Sequence, residues 1–164
     1  MIKMNAAYLF LLFAVHLASF AAQSAVVSRQ GSKCQPGWMR FGDSCYAFSR
    51  DRWWFPWSWS WCRAFGGNLL EINSYEEFAW IVQEIGRRHF SHTWIGASDM
   101  FTEGTFRWLT NYEPVNNLAF FNPGQPNNVD GVEHCLEMDA DGGYHWSDDE
   151  CWNKKRFVCE KRML

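Results

Sequence analysis

Six cysteines, Cys34, Cys45, Cys62, Cys135, Cys151 and Cys159, all follow an apolar N-terminal run. An even set of cysteines behind such a leader reads as disulfides formed in an oxidising compartment. Crosslinks limit what a chain can fold into more severely than any local propensity. Six cysteines admit many pairings. Spacing suggests Cys34 with Cys45 across a hairpin and Cys135 with Cys151 across a short polar excursion, which leaves Cys62 for Cys159. Closing so long a loop would restrict the unfolded chain by about 4 kcal/mol in a loop-entropy account. The sequence contains no C-x-x-C pair, which argues against a structural zinc site.

The leader has its own logic. Lys3 precedes an apolar run from Ala6 to Ala22, and Ala22-Gln23-Ser24 forms a small-x-small cleavage pattern. This is the layout of a secretory signal peptide. A membrane anchor is the alternative, but a run of about 17 residues interrupted by His16 is marginal for a bilayer. The expectation is a signal peptide at 1–24, a short tail at 25–33 and one domain at 34–161, secreted and extracellular, with no membrane insertion once the leader is removed. The chain has a net charge of −3 and no evident basic cluster, which argues against a nucleic-acid partner.

Periodicity places the elements. "CQPGWMRFGDSCYAFS" alternates around Gly42-Asp43 and predicts a hairpin with Trp38, Phe41, Tyr46 and Phe48 in the core. "FPWSWSWCRAFGG" alternates tryptophan and serine, as a strand would. Pro56 near its start and Gly66-Gly67 at its end instead favour a helix over 56–65. Its expected buried stripe is Phe55, Trp59, Cys62 and Phe65. The remaining tryptophans are expected to form core plus a partly exposed apolar patch, a binding surface being the sharper reading. Ser74 and Glu77 form a capping box ahead of Phe78, Ile81, Val82 and Ile85, which predicts an amphipathic helix over 75–88. Short strands follow in "TWIGAS", "TFRWL", "EHCLEM", "YHWSD" and "RFVCEK".

Residues 110–131 hold many Asn, Pro and Gly and little periodicity. A loop this long inside a compact domain is usually functional. Within and beside it, "GQPNNVDGVEHC" gathers Gln125, Asn127 and Glu133 just ahead of Cys135. A cis bond before Pro126 would turn both amide oxygens to one side. Asp148 lies three residues before Cys151, so a Cys135–Cys151 crosslink would bring it close to Glu133. Two carboxylates and two amide oxygens make an oxygen-only cage, the donor set of a hard cation such as Ca2+. Without a cation the two negative charges would repel.

On these motifs the chain resembles a C-type lectin-like domain, similar to the secreted single-domain molluscan lectins of the perlucin type. "WIGAS" resembles the family's W-I-G-L core motif, "QPN" stands where the family has E-P-N or Q-P-D, "EHC" and "WSDDEC" replace its E-x-C and W-N-D segments, and "FVCEK" matches its ending. The resemblance implies an α+β fold of two helices and two small antiparallel sheets with a long ligand-binding loop region. It implies pairing of Cys34 with Cys45, Cys62 with Cys159 and Cys135 with Cys151. It further implies that Gln125, Asn127, Glu133 and Asp148 ligate calcium and hydrogen-bond neighbouring sugar hydroxyls, a recognition without catalysis.

One position departs from the family pattern. Ser147 stands in place of the W-N-D asparagine and is a poorer metal ligand, which weakens the expected site. A second calcium site of the family would use Asp99, Glu103, Asn128 and Glu133, but its remaining acid is His134 in this chain. "QPN" mixes the mannose-type and galactose-type motifs, so broad specificity is expected. The expected partners are mono- or oligosaccharides, including microbial surface sugars, with roles in innate immune recognition or agglutination. A lectin-like interaction or shell-matrix protein without sugar binding is the alternative. No heptad stalk indicates an oligomer. An enzyme is not expected, because His89, His92, His134 and His145 accompany no hydrolase motif.

Overall fold

The computed structural model describes residues 33–116 and 118–163. The leader expected at 1–24 lies outside the described residues, as does the tail expected at 25–33 except for Lys33. Gln35–Arg162 cluster as one unit. Among the described residues no helix is long and apolar enough to cross a membrane.

The architecture is α+β. Strands β1 (Met39–Phe41) and β2 (Ser44–Phe48) form the expected hairpin, and Tyr46 is buried in it. Helix α1 (Phe55–Ala64) and strand β3 (Asn68–Leu69) precede helix α2 (Tyr75–Arg87). Strands β4 (His92–Ser98) and β5 (Arg107–Trp108), two 3-10 turns at Leu118–Phe120 and Val129–Gly131, and strands β6 (Glu133–Asp139), β7 (His145–Glu150) and β8 (Arg156–Arg162) complete the chain. One antiparallel sheet joins β1, β2, β3 and β8, so the two ends of the domain are hydrogen-bonded together. The other joins β4 to β5 and β6, and β6 to β7, all antiparallel. The two meet through a short parallel ladder, Thr93 opposite Arg156 and Trp94 opposite Phe157.

Helix α2 follows the sequence pattern closely. Ser74 Oγ accepts from Glu77 N at 3.1 Å, and the Glu77 carboxylate accepts from Asn73 N at 2.9 Å, one residue further back than a capping box requires. Phe78, Ile81 and Ile85 are buried. Helix α1 departs from expectation. Its buried positions are Phe55, Ser58 and Cys62, whereas Trp59 and Phe65 are exposed. The physical reason is the crosslink. Cys62 bonds to Cys159 on β8, which fixes the rotation of the helix and places Ser58, four residues earlier, beneath the same face. Ser58 Oγ donates to Trp54 O at 3.0 Å, so this buried hydroxyl is satisfied locally.

Cys135 bonds to Cys151, Cys34 and Cys45 are also disulfide-bonded, and among the described residues no cysteine is free. The glycine of "WIGAS" has a steric reason. A Cβ on Gly96 would lie 2.7 Å from Leu69 O, and Gly96 N donates to Leu70 O at 2.7 Å. Only glycine lets β4 approach the β3 segment this closely.

Candidate functional site

The long loop is fastened to β7 before it reaches its polar tip. Phe120 stacks on Phe78 with ring centroids 4.5 Å apart, Phe121 meets Trp146 edge-on at 5.5 Å, and Asn122 N donates to Trp146 O at 2.8 Å. Trp146 itself is fully buried. The loop therefore enters the site from a fixed point one residue ahead of Ser147 and Asp148. Gln125 N donates back to Asn122 O at 2.9 Å, and the Gln125–Pro126 bond is cis.

Beyond the proline, three successive backbone N–H groups serve two carboxylates. Asn127 N and Asn128 N donate to the two oxygens of Asp148 at 3.0 and 2.8 Å, and Val129 N donates to Glu133 at 3.0 Å. Asn128, in the left-handed region, returns its side-chain oxygen to Glu133 N at 3.0 Å. Glu133 and Asp148 are not opposite each other in the β6–β7 ladder. Glu133 faces Glu150, Asp148 faces Leu136, and a register shift separates Glu133 from Cys135. Such irregularities re-aim side chains beside sites. The backbone of residues 127–129 thus spans the two acids and holds them in one neighbourhood.

Electrostatics mark the same place. Asp148 is only 2% exposed. The Glu133 carboxyl is pushed above the ordinary glutamate range, first by loss of hydration and further by the charges of Asp148 and Asp149; the Val129 N–H and Lys155 pull the other way. Gln125 Oε1 is buried and has no hydrogen-bond partner among the described residues. An orphaned buried oxygen has a cost unless something fills its lone pairs. Asn127 is exposed at the tip. Each Asp148 oxygen receives one N–H, and Glu133 receives Val129 N on one oxygen, so both carboxylates keep acceptor capacity. Gln125, Asn127, Glu133 and Asp148 together fit a hard divalent cation in chemistry and charge.

Ser147 does not join them in the same way. It is buried, and its Oγ donates to Asp148 O at 3.1 Å, a bond that occupies its one hydroxyl proton.

A second cluster gathers only Asp99, Glu103 and His134, with a different chemistry. His134 Nδ1 lies 3.1 Å from Asp99 and 3.3 Å from Glu103, while Gly104 N donates to the other Asp99 oxygen at 2.8 Å. The imidazole occupies the space between the acids, and Asn128 turns instead to Glu133 N. Of the other histidines, His92 approaches Glu137 and Asp139 at 3.2 and 3.5 Å, and His145 Nδ1 bonds Gly142 O at 3.0 Å. Asn122 is the anchoring residue that sequence reasoning missed. Nothing local marks it, because its partners Trp146 and Asp139 are distant in sequence.

A family model described as the Lectin C-type domain matches residues 55–161. The chain belongs to the C-type lectin family. It is a carbohydrate-binding, non-enzymatic family, and a calcium-independent type II antifreeze protein, 26% identical with a TM-score of 0.72, is similar to the chain as well. Mouse asialoglycoprotein receptor 2 is 37% identical over 92% of the chain, and the abalone (Haliotis laevigata) protein perlucin is 36% identical over 80%. The chain spans half the length of the former and 84% of the latter. The carbohydrate-recognition domain of the mouse scavenger receptor C-type lectin superposes with a TM-score of 0.71 at 34% identity, covering 80% of this chain and 98% of that domain. The C-type lectin fold thus accounts for the two helices, the paired sheets and the long loop.

Proposed function

We propose that this C-type lectin is a secreted, calcium-dependent binder of carbohydrate. Gln125, Asn127, Glu133 and Asp148 hold the ion and orient the sugar. The observation that carries this reading is the unsatisfied, buried Gln125 oxygen beside a loop whose backbone is clamped to a buried carboxylate. Bound calcium supplies coordination positions for two neighbouring sugar hydroxyls. Around that diol the carboxylates of Glu133 and Asp148 accept hydrogen bonds and the amides of Gln125 and Asn127 donate them. The N–H groups of Asn127 and Asn128 fix Asp148 in advance, so little side-chain freedom is lost on binding. With an amide at both motif positions the site offers donors on either side of the diol, which suits a mixed range of mannose-type and galactose-type sugars.

Ser147 weakens the cage, because its buried hydroxyl is shorter than the asparagine amide it replaces and a poorer calcium ligand. That observation favours, as a second reading, a lectin-like protein whose ligand is not a sugar. Retention on immobilised monosaccharides separates the two. The lectin reading expects retention in calcium, release by chelator, and tighter calcium binding in Ser147→Asn. Failure of every sugar to retain the protein, in the presence of saturating calcium, supports the second reading.

A further inference from the structure

Helix α1 is built inside out. Ser58 is completely buried while Trp57 is 58% exposed. Trp53, Trp57, Trp61 and Phe65 recur every fourth residue, the spacing that aligns side chains along one helix face. All four are exposed. Trp61 and Phe65 lie with ring centroids 4.3 Å apart. At the helix start, Trp54 meets Trp152 edge-on at 6.1 Å, and Trp152 is 62% exposed. The crosslink at Cys62 accounts for the buried serine, and it leaves on the outside a contiguous row of large apolar side chains of the kind that marks an interaction surface.

Cations outnumber acids beside this face. Trp53, Trp61 and Phe65 wall a cavity of about 500 Å³ that also takes in Arg50 and Asp51. It shares Gly37, Phe48, Ser49 and Arg50 with a neighbouring recess of about 510 Å³. That recess is lined by Arg50, Arg88 and Arg156 and by no carboxylate. Glu84 pairs with Arg88 at 2.5 Å. Arg156 donates to the carbonyls of Ser49 and Arg50. Lys154 lies 5.4 Å from the centre of the Trp54 ring, and Arg63 projects from α1 itself. Among the described residues, Arg50, Arg63, Lys154 and Arg156 form no ion pair. This local excess of cation stands on a chain whose net charge is −3.

We propose that the outer face of α1, with Trp152 and the arginine-lined recess, docks onto a lipid bilayer bearing anionic headgroups. Tryptophan is suited to the boundary between headgroup and acyl chain, where an apolar body and a polar N–H are both accommodated. Unpaired arginines and lysines supply attraction to anionic headgroups. This surface uses none of the residues assigned to calcium or sugar, so it stands whether or not the lectin reading holds.

Flotation with phosphatidylcholine vesicles, alone and mixed with phosphatidylserine, tests it, with chelator present throughout so that calcium cannot bridge. The proposal expects binding only when phosphatidylserine is present, a blue-shifted tryptophan emission, and quenching by brominated acyl chains. It expects Trp57→Ser with Trp152→Ser to weaken binding by about tenfold or more, and Arg50→Gln with Lys154→Gln to do likewise. Unfolding curves check that each variant remains folded, and Trp57→Ser alone, at an exposed position, serves if a double variant does not. Unchanged vesicle binding in the folded tryptophan variants would overturn the proposal. So would equal binding to neutral vesicles, vesicle-free self-association abolished by the same substitutions, or chelator-resistant retention on soluble glycans through these tryptophans.

Discussion

The two helices obey different rules. In α2 the apolar residues fall on one side, and that side is the one buried: Phe78, Ile81 and Ile85 face the core, while Glu76 and Gln83 face water. In α1 large apolar residues occur around the whole circumference, so the pattern cannot choose a face. The crosslink from Cys62 to Cys159 chooses it. Phe55 and Ser58 are carried inward with Cys62, and the tryptophans are left outside. Periodicity therefore identifies the buried face only where hydrophobicity is unevenly distributed. Elsewhere a covalent or steric constraint decides, and a small residue can occupy the inside because nothing larger fits.

Substitutions sharpen this contrast. The largest effect is expected in α2, where Ile81→Ala removes a fully buried side chain. Denaturant unfolding should show a loss of about 2–5 kcal/mol. In α1 the informative change is the opposite kind. Ser58→Leu raises helix hydrophobicity yet forces a larger side chain into a fully buried position, and a loss of about 1–3 kcal/mol is expected from overpacking. A stabilised Ser58→Leu variant would break the comparison, since it would mean that α1 is free to rotate or that space lies beneath it. The smallest effect is at the N-terminus of α2, where Ser74→Ala removes the acceptor for Glu77 N. A cost of about 1 kcal/mol is expected by thermal or denaturant unfolding.

Much of the fold could be read from the sequence because its signals are local. The hairpin turn at Gly42-Asp43, the cap at Ser74 and the short runs of the closing strands each depend on neighbours in the chain. The close approach behind Gly96 depends on Leu69 and Leu70 across the sheet, so nothing local announces it. The acidic residues of the candidate site were legible for a similar reason, since each lies near a crosslinked cysteine. What was not legible is how they are held. Nothing in "QPNNVDG" says that its backbone N–H groups, rather than its side chains, grip Asp148, or that Asn122 pins the loop to Trp146. The buried ion pair of Lys155 with Glu137 at 2.8 Å links β6 to the start of β8, and its members are far apart in sequence. Burial pushes the Glu137 carboxyl up, and the adjacent Lys155 pulls it back toward its charged form. Such pairs follow from strand register, which tertiary packing sets.

The most direct test of the account is a calcium titration, by calorimetry, of the native protein and of Glu133→Gln across a range of pH. Loss of hydration and the charge of Asp148 raise the Glu133 carboxyl above its ordinary value of 4.5. Protonation opposes a cation, so native affinity should be full near neutral pH. As the pH falls it should decline earlier than an unperturbed glutamate would allow. The account predicts saturable binding to the native protein with that acid-side decline, and at least about a tenfold loss in Glu133→Gln. Equal calcium affinity in the two proteins, or no calcium binding by either at neutral pH, would contradict it.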